Sequence, residues 1–235
     1  MRILAFESSA KAASVALLEE DRLIGEYYQN SGQTHSRTIM KLAQDLLGNC
    51  DLTVRDLDAV ACAIGPGSFT GLRIGLAAAK GLCWGGELPF YGVSTLEAMA
   101  YSAAHLRGIV CPVMDARRSQ VYTAAFEAGD GGLRRVAPDQ AISLEQLAGS
   151  LGDGTVYLLG DGAHLAKQAM PRENVFLLPE HLRQQRASGV ALAARAMALR
   201  GEPGIDAALA VPNYLRLPQA ERERLARINK SPDAE

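Results

Sequence analysis

The chain has 235 residues, 48% hydrophobic and 21% charged, which is enough for one large domain or two of ordinary size and excludes a disordered or fibrous protein. Its 24 Lys and Arg against 26 Asp and Glu leave a net charge of -2, without the basic stripe that unaided binding to a phosphate backbone needs. No apolar run approaches the ~18 residues of a membrane span, and the stretch at residues 2–6 is too short for a signal peptide, so a cytoplasmic protein with no membrane contact is expected.

In chain order, residues 2–6, 13–18 and 23–28 are rich in apolar and β-branched side chains and predict three strands, the first two joined by a turn at 8–11. Ile39, Leu42, Ala43, Leu46 and Leu47 recur at i, i+3, i+4, i+7 and i+8, the spacing of one helical face. Residues 59–64 read as a buried strand ending at Gly65, and a helix follows over 69–84. After a further strand, the pattern Ser94-x-x-Glu97 is a capping box opening a helix that runs to about 105.

The second half begins in the same way. Residues 109–114 predict a strand, 115–119 a polar turn, 121–126 a second strand, 129–132 a tight turn and 133–136 a third strand. Ser143-x-x-Gln146 caps a helix, 156–159 is a strand, and Gly160-Asp161-Gly162 leads into another helix. An Ala-rich amphipathic helix over 187–200 stops at Gly201 and Pro203. The repeated order predicts an α/β protein of two lobes, residues 1–107 and 108–216, each a mixed sheet led by a hairpin and flanked by helices. Glu7 and Asp115 then stand at equivalent tips, helix 187–200 packs back on the first lobe, and residues 217–235 form a polar tail.

The segment Gly65-Pro66-Gly67-Ser68-Phe69-Thr70-Gly71-Leu72-Arg73 is the strongest local signal. Two glycines let the backbone turn, and Ser68 caps the next helix, whose free N–H groups suit an anion. A plain strand-to-helix turn fits the same residues. The third glycine comes one residue late for a dinucleotide fingerprint, and no Gly-Lys-Ser/Thr follows. Glu7 and Ser8, at the first hairpin, are candidates to meet the same phosphate, or to bond only their own turn. The four histidines form neither H-x-x-x-H nor H-E-x-x-H, so no metal site lies on one helix, and His35 reads as a capping or surface residue. The four cysteines lie far apart and read as buried thiols. No nucleophile elbow is present, so no catalytic residue is named.

The hairpin-led halves resemble the actin, Hsp70 and sugar-kinase (ASKHA) superfamily, whose two lobes close over a nucleotide. Within it, Ile3-Leu4-Ala5-Phe6-Glu7-Ser8-Ser9, Thr34-His35-Ser36, the segment 65–75, Met114-Asp115-Ala116-Arg117-Arg118 and Pro212-Asn213-Tyr214-Leu215-Arg216 are similar to the TsaB (YeaZ) family. The likeness runs from Arg2 to Arg216.

It implies a noncatalytic relative of TsaD, the subunit that transfers a threonylcarbamoyl group to the adenosine beside a tRNA anticodon. It also implies partnership with TsaD and TsaE, a homodimer when the chain is alone, and tRNA contact only through the complex. TsaD carries a V-H-H-M-E-G-H segment whose last two histidines hold a metal; here Val93-Ser94-Thr95-Leu96-Glu97-Ala98-Met99 matches it, with Thr95 and Met99 in their places. A hydroxyl and a thioether do not replace two imidazoles, so no metal and no cofactor are expected. In such folds Gly160 and Gly162 would line the adenosine turn, but Asp161 between them disfavours a phosphate by like-charge repulsion. A rival reading of the fold is a small ATP-dependent kinase or a glycoprotease-like metallopeptidase.

In helix 69–84, Gly71, Gly75, Ala78 and Leu82 share one stripe at 100° per residue, with Arg73 and Lys80 opposite. Leu72, Leu76, Ala79 and Cys83 cover one flank and Ile74, Ala77 and Gly81 the other, leaving a narrower polar face than a lone surface helix shows. The expected partner surface is therefore Leu72, Arg73, Leu76, Ala77 and Lys80 of this helix with His35, Ile39, Leu42 and Leu46 of the preceding one.

Overall fold

The computed structural model describes residues 1–216; the tail expected over 217–235 lies outside the described residues. The first sheet forms from β1 (Arg2–Glu7), β2 (Ala13–Glu19), β3 (Arg22–Gln29), β4 (Ala59–Gly65) and β5 (Phe90–Ser94), in the order β3-β2-β1-β4-β5. β1 runs antiparallel to β2, with Glu7 opposite Ser14, and parallel to β4. The second sheet forms from β6 (Gly108–Asp115), β7 (Gln120–Gly129), β8 (Gly132–Ser143), β9 (Val156–Leu159) and β10 (Val175–Leu177), in the order β8-β7-β6-β9-β10. β6 is antiparallel to β7 and parallel to β9, so the two sheets share strand order and pairing sense.

Alternate residues of a strand face opposite ways, so each central strand supplies two cores. Leu4 and Phe6 of β1 point to α1 (His35–Gly48) and α2 (Phe69–Gly86), where they meet Ile39, Ala43, Leu46, Leu76, Ala79 and Cys83. Ile3 and Ala5 point to α7 (Ala187–Leu199) and meet Ala187, Val190, Ala191 and Ala194. The small side chains of α7 let it lie close to α3 (Thr95–Tyr101), where a Cβ on Gly189 would overlap the Ala98 carbonyl. Helix α3 turns Leu96, Met99 and Ala100 onto the second sheet at Val110, Met114 and Phe126. The far face of that sheet is closed by α4 (Leu144–Ser150) and α5 (Ala163–Ala169). Each half thus sends one helix to the other half's sheet. Burial of this kind contributes ~1.5–3 kcal/mol per large apolar side chain.

Several elements depart from the expected limits. Helix α3 ends at Tyr101, and β8 runs on to Ser143. β10 and the short α6 (Glu180–Arg183) follow α5 where no element was anticipated. Only half of the Ser94 box forms. Ser94 Oγ accepts from Glu97 N at 3.2 Å, but the Glu97 carboxylate turns away to Arg135 at 2.8 Å. At Ser143 both halves form, with Gln146 N donating to Ser143 Oγ at 3.1 Å and Ser143 N to Gln146 Oε1 at 2.9 Å.

Candidate partner face and interlobe seam

Helix α2 starts where Ser68 Oγ accepts from Gly71 N at 3.2 Å and ends where Glu87 turns left-handed, φ 52°, with its N–H on Cys83 O. Its seating is set by two missing side chains. A Cβ on Gly71 would overlap the Ser8 carbonyl and one on Gly75 would overlap Ser8 Oγ, while Ser8 Oγ donates to Gly71 O at 2.9 Å. The helix therefore rests directly on the β1–β2 turn.

This contact decides which flank is inside. Leu72 is 0% and Leu76 6% exposed, and on α1 Ile39 is 1% and Leu46 2% exposed; all four are core residues of their own chain. The expected partner surface is corrected by these four, because α2 and α1 are pressed on the first sheet by that flank. Leu42 is half-buried beside the same core. His35 is half-buried too, and its Nε2 lies 2.8 Å from Ala10 O, tying the start of α1 to the first hairpin. The outward face of α2 carries Arg73, Ala77, Gly81 and Trp84, the last 89% exposed.

Arg73 and Lys80 are not free surface charges. Arg73 Nε donates to Tyr214 Oη at 2.9 Å, and Lys80 Nζ donates to Ala208 O at 3.2 Å. Both hold the final described segment along α2. Tyr214 stacks on Phe69 with centroids 4.4 Å apart. The Pro212–Arg216 motif was visible in the sequence, but nothing local joined it to α2.

At the seam between the lobes, the glycine-rich turn is packed by the chain's own carbonyls. Ser68 N donates to Ser9 O at 2.7 Å, a Cβ on Gly67 would come within 2.5 Å of that oxygen, and one on Gly65 would overlap Asn213 O. The turn after β9 is filled likewise. Gly160 N donates to Arg183 O at 2.9 Å and Gly162 N to Val113 O at 3.0 Å. The backbone N–H groups of Ser68, Gly160 and Gly162 are thus already bonded within the chain.

Glu7 is 1% exposed, with Oε1 accepting from Ser9 N at 2.5 Å and Oε2 without a partner. Burial pushes its carboxyl up to about 7, against the bonds from Ser9 and Ser8 that favour the charge. Asp161 is also raised, first by burial and then by the Asp115 charge. Asp115 itself is exposed, so the two strand ends are equivalent in position and unlike in environment.

Thr95 and Met99 are core. Thr95 is 0% exposed with an unpartnered Oγ1, and Met99 is 1% exposed. The Met99 methyl lies so near Gly160 that a Cβ there would approach it to 2.7 Å. Among the described residues, no three His, Cys, Asp or Glu side chains converge in a metal-binding group, and no helix is long and apolar enough to cross a membrane.

Two five-stranded sheets of one strand order, each led by a hairpin and flanked by helices, define a two-lobed ASKHA fold. A family model described as TsaD, tRNA N6-adenosine threonylcarbamoyltransferase, matches residues 27–224. The tRNA threonylcarbamoyladenosine biosynthesis protein TsaB of Bacillus subtilis is 36% identical over 94% of this chain and 96% of its own length. Its Escherichia coli namesake is 39% identical over 60% of the chain and 62% of its own length. Among solved structures, YeaZ from Pseudomonas aeruginosa aligns with a TM-score of 0.80 and 29% identity, covering 91% of this chain and 99% of that one. The chain belongs to the TsaB (YeaZ) family.

Proposed function

We propose that this protein is a noncatalytic subunit of the machinery that makes threonylcarbamoyladenosine in tRNA, binding and activating TsaD together with TsaE. The place of the chain in this biosynthesis follows the names of its TsaB relatives. The observation that carries the noncatalytic part is the burial of Thr95 and Met99, the positions that match the metal-holding histidines of TsaD. Both are buried, Met99 in the packing of α3 on the second sheet. The lobes divide at 107/108, and the chain works in the cytoplasm. The exposed stripe of α2 with the outer side of α1 forms the face for TsaD, or for a second copy when TsaD is absent. A net charge of -2 supports tRNA contact only through the complex.

The test supplies tRNA, ATP, bicarbonate, threonine and the carbamoyl-adenylate-forming enzyme, and measures modified adenosine by nucleoside mass spectrometry. Product is expected only when TsaD and TsaE are added to this chain. Product formed with both omitted would overturn the reading.

A further inference from the structure

We propose that residues 205–216 form a clasp that couples the outer face of α2 to the turn between β6 and β7, on the far side of the seam. The segment is fixed at successive points. Ile205 and Phe90 exchange backbone bonds of 2.9 and 3.0 Å, Ala208 O takes the Lys80 bond, and Asn213 N donates to Ile64 O at 2.7 Å. Ala207 and Ala210 are buried in the first core, while Tyr214 stacks on the Phe69 ring and its hydroxyl accepts from Arg73. The chain then crosses the seam, and Arg216 Nη1 donates to Ala116 O at 2.6 Å.

That last contact grips a strained turn. Arg117, Arg118 and Ser119 have φ of 62°, 56° and 57°, three successive left-handed residues that each carry a Cβ. Such a run persists only where its surroundings hold it. The turn's own bonds are few: Ala116 N to Gln120 O at 3.0 Å, Gln120 N to Arg117 O at 3.3 Å, and Arg117 N to Asp115 Oδ1 at 2.7 Å. The Arg216 guanidinium adds a bond from the end of the segment that lies along α2. Seated, the clasp holds the turn. Without the Arg73 bond, Tyr214 is held less firmly two residues before Arg216, and the turn relaxes. The coupling belongs to the isolated chain and stands independently of which protein docks on α2.

Amide hydrogen exchange on the full chain tests this, since local opening is read residue by residue. Arg216→Ala is expected to speed exchange at Ala116 and Gln120 about tenfold. Arg73→Ala, which touches neither residue, is expected to do the same, with β2, β3 and α7 unchanged. If Arg73→Ala fails to fold, Tyr214→Phe carries the test, because it keeps the ring stack and removes only the acceptor for Arg73. Exchange altered only in α2 and residues 205–216, or raised uniformly across the molecule, would overturn the proposal.

Discussion

Glu7 is a side chain for which the sequence left two readings open, a phosphate contact or bonds within its own turn. The folded chain buries it, with Oε1 accepting from Ser9 N of its own turn and Oε2 unpaired. Its folded value of about 7 lies above the ordinary 4.5, so both states keep the proton below about 4.5 and the group then costs nothing. As pH rises to about 7 the unfolded chain ionises first, and stability falls by ~3 kcal/mol before levelling off. Glu7→Gln should abolish that slope and exceed the parent in stability at pH 8, as urea unfolding at several pH values would show. Parallel pH profiles would contradict it. At Thr95, replacement by Val keeps the shape and removes an unpartnered buried hydroxyl. Stability by thermal unfolding should hold or rise by ~1 kcal/mol, and modification by the assembled complex should be unchanged.

At the scale of elements, the periodic signals were legible and the long-range ones were not. The first three strands, α1, β4, α2, the hairpin of β6 and β7, and α7 follow from short apolar runs, helical spacing and caps that act over a few residues. β10 has three residues and is held by parallel pairing to β9, and α6 has four. Elements so short carry no period to read. The face of α2 was half legible. Its apolar residues run nearly all round, so spacing alone does not choose the inner flank; the Ser8 turn against Gly71 and Gly75 does. Arg73 and Lys80 stood out as charges, but their partners lie 141 and 128 residues away.

Glycine substitutions along α2 separate these causes. Gly81→Ala meets open space and should stabilise by ~0.5–1 kcal/mol through helix propensity. Gly75→Ala meets a rotatable hydroxyl, whereas Gly71→Ala meets backbone. Chemical denaturation should rank Gly71→Ala as the most damaging of the three, at a cost of ~2 kcal/mol or more. Equal effects at Gly71 and Gly81 would contradict the seating of the helix.

For the whole molecule, the two repeated sheets meet at a seam that the chain fills with its own groups. α3 and α7 are exchanged between the halves, the glycine turns are filled by Ser9, Asn213, Arg183 and Val113, and Thr95 and Met99 are buried. What stays outward is the α2 stripe of Arg73, Ala77, Gly81 and Trp84. Ala77→Glu tests this stripe because the position is exposed, so folding should change by no more than ~0.5 kcal/mol. Leu76→Glu does not serve, since at 6% exposure it would unfold the chain. Burying an unpaired carboxylate at an interface costs several kcal/mol, enough to abolish a moderate complex. The direct measurement is sedimentation velocity of the chain mixed with TsaD, for the parent and for Ala77→Glu, with circular dichroism as the folding control. The account predicts a heterodimer for the parent and separate species for the variant. A parent that does not associate with TsaD, or a folded variant that associates as well as the parent, would contradict it.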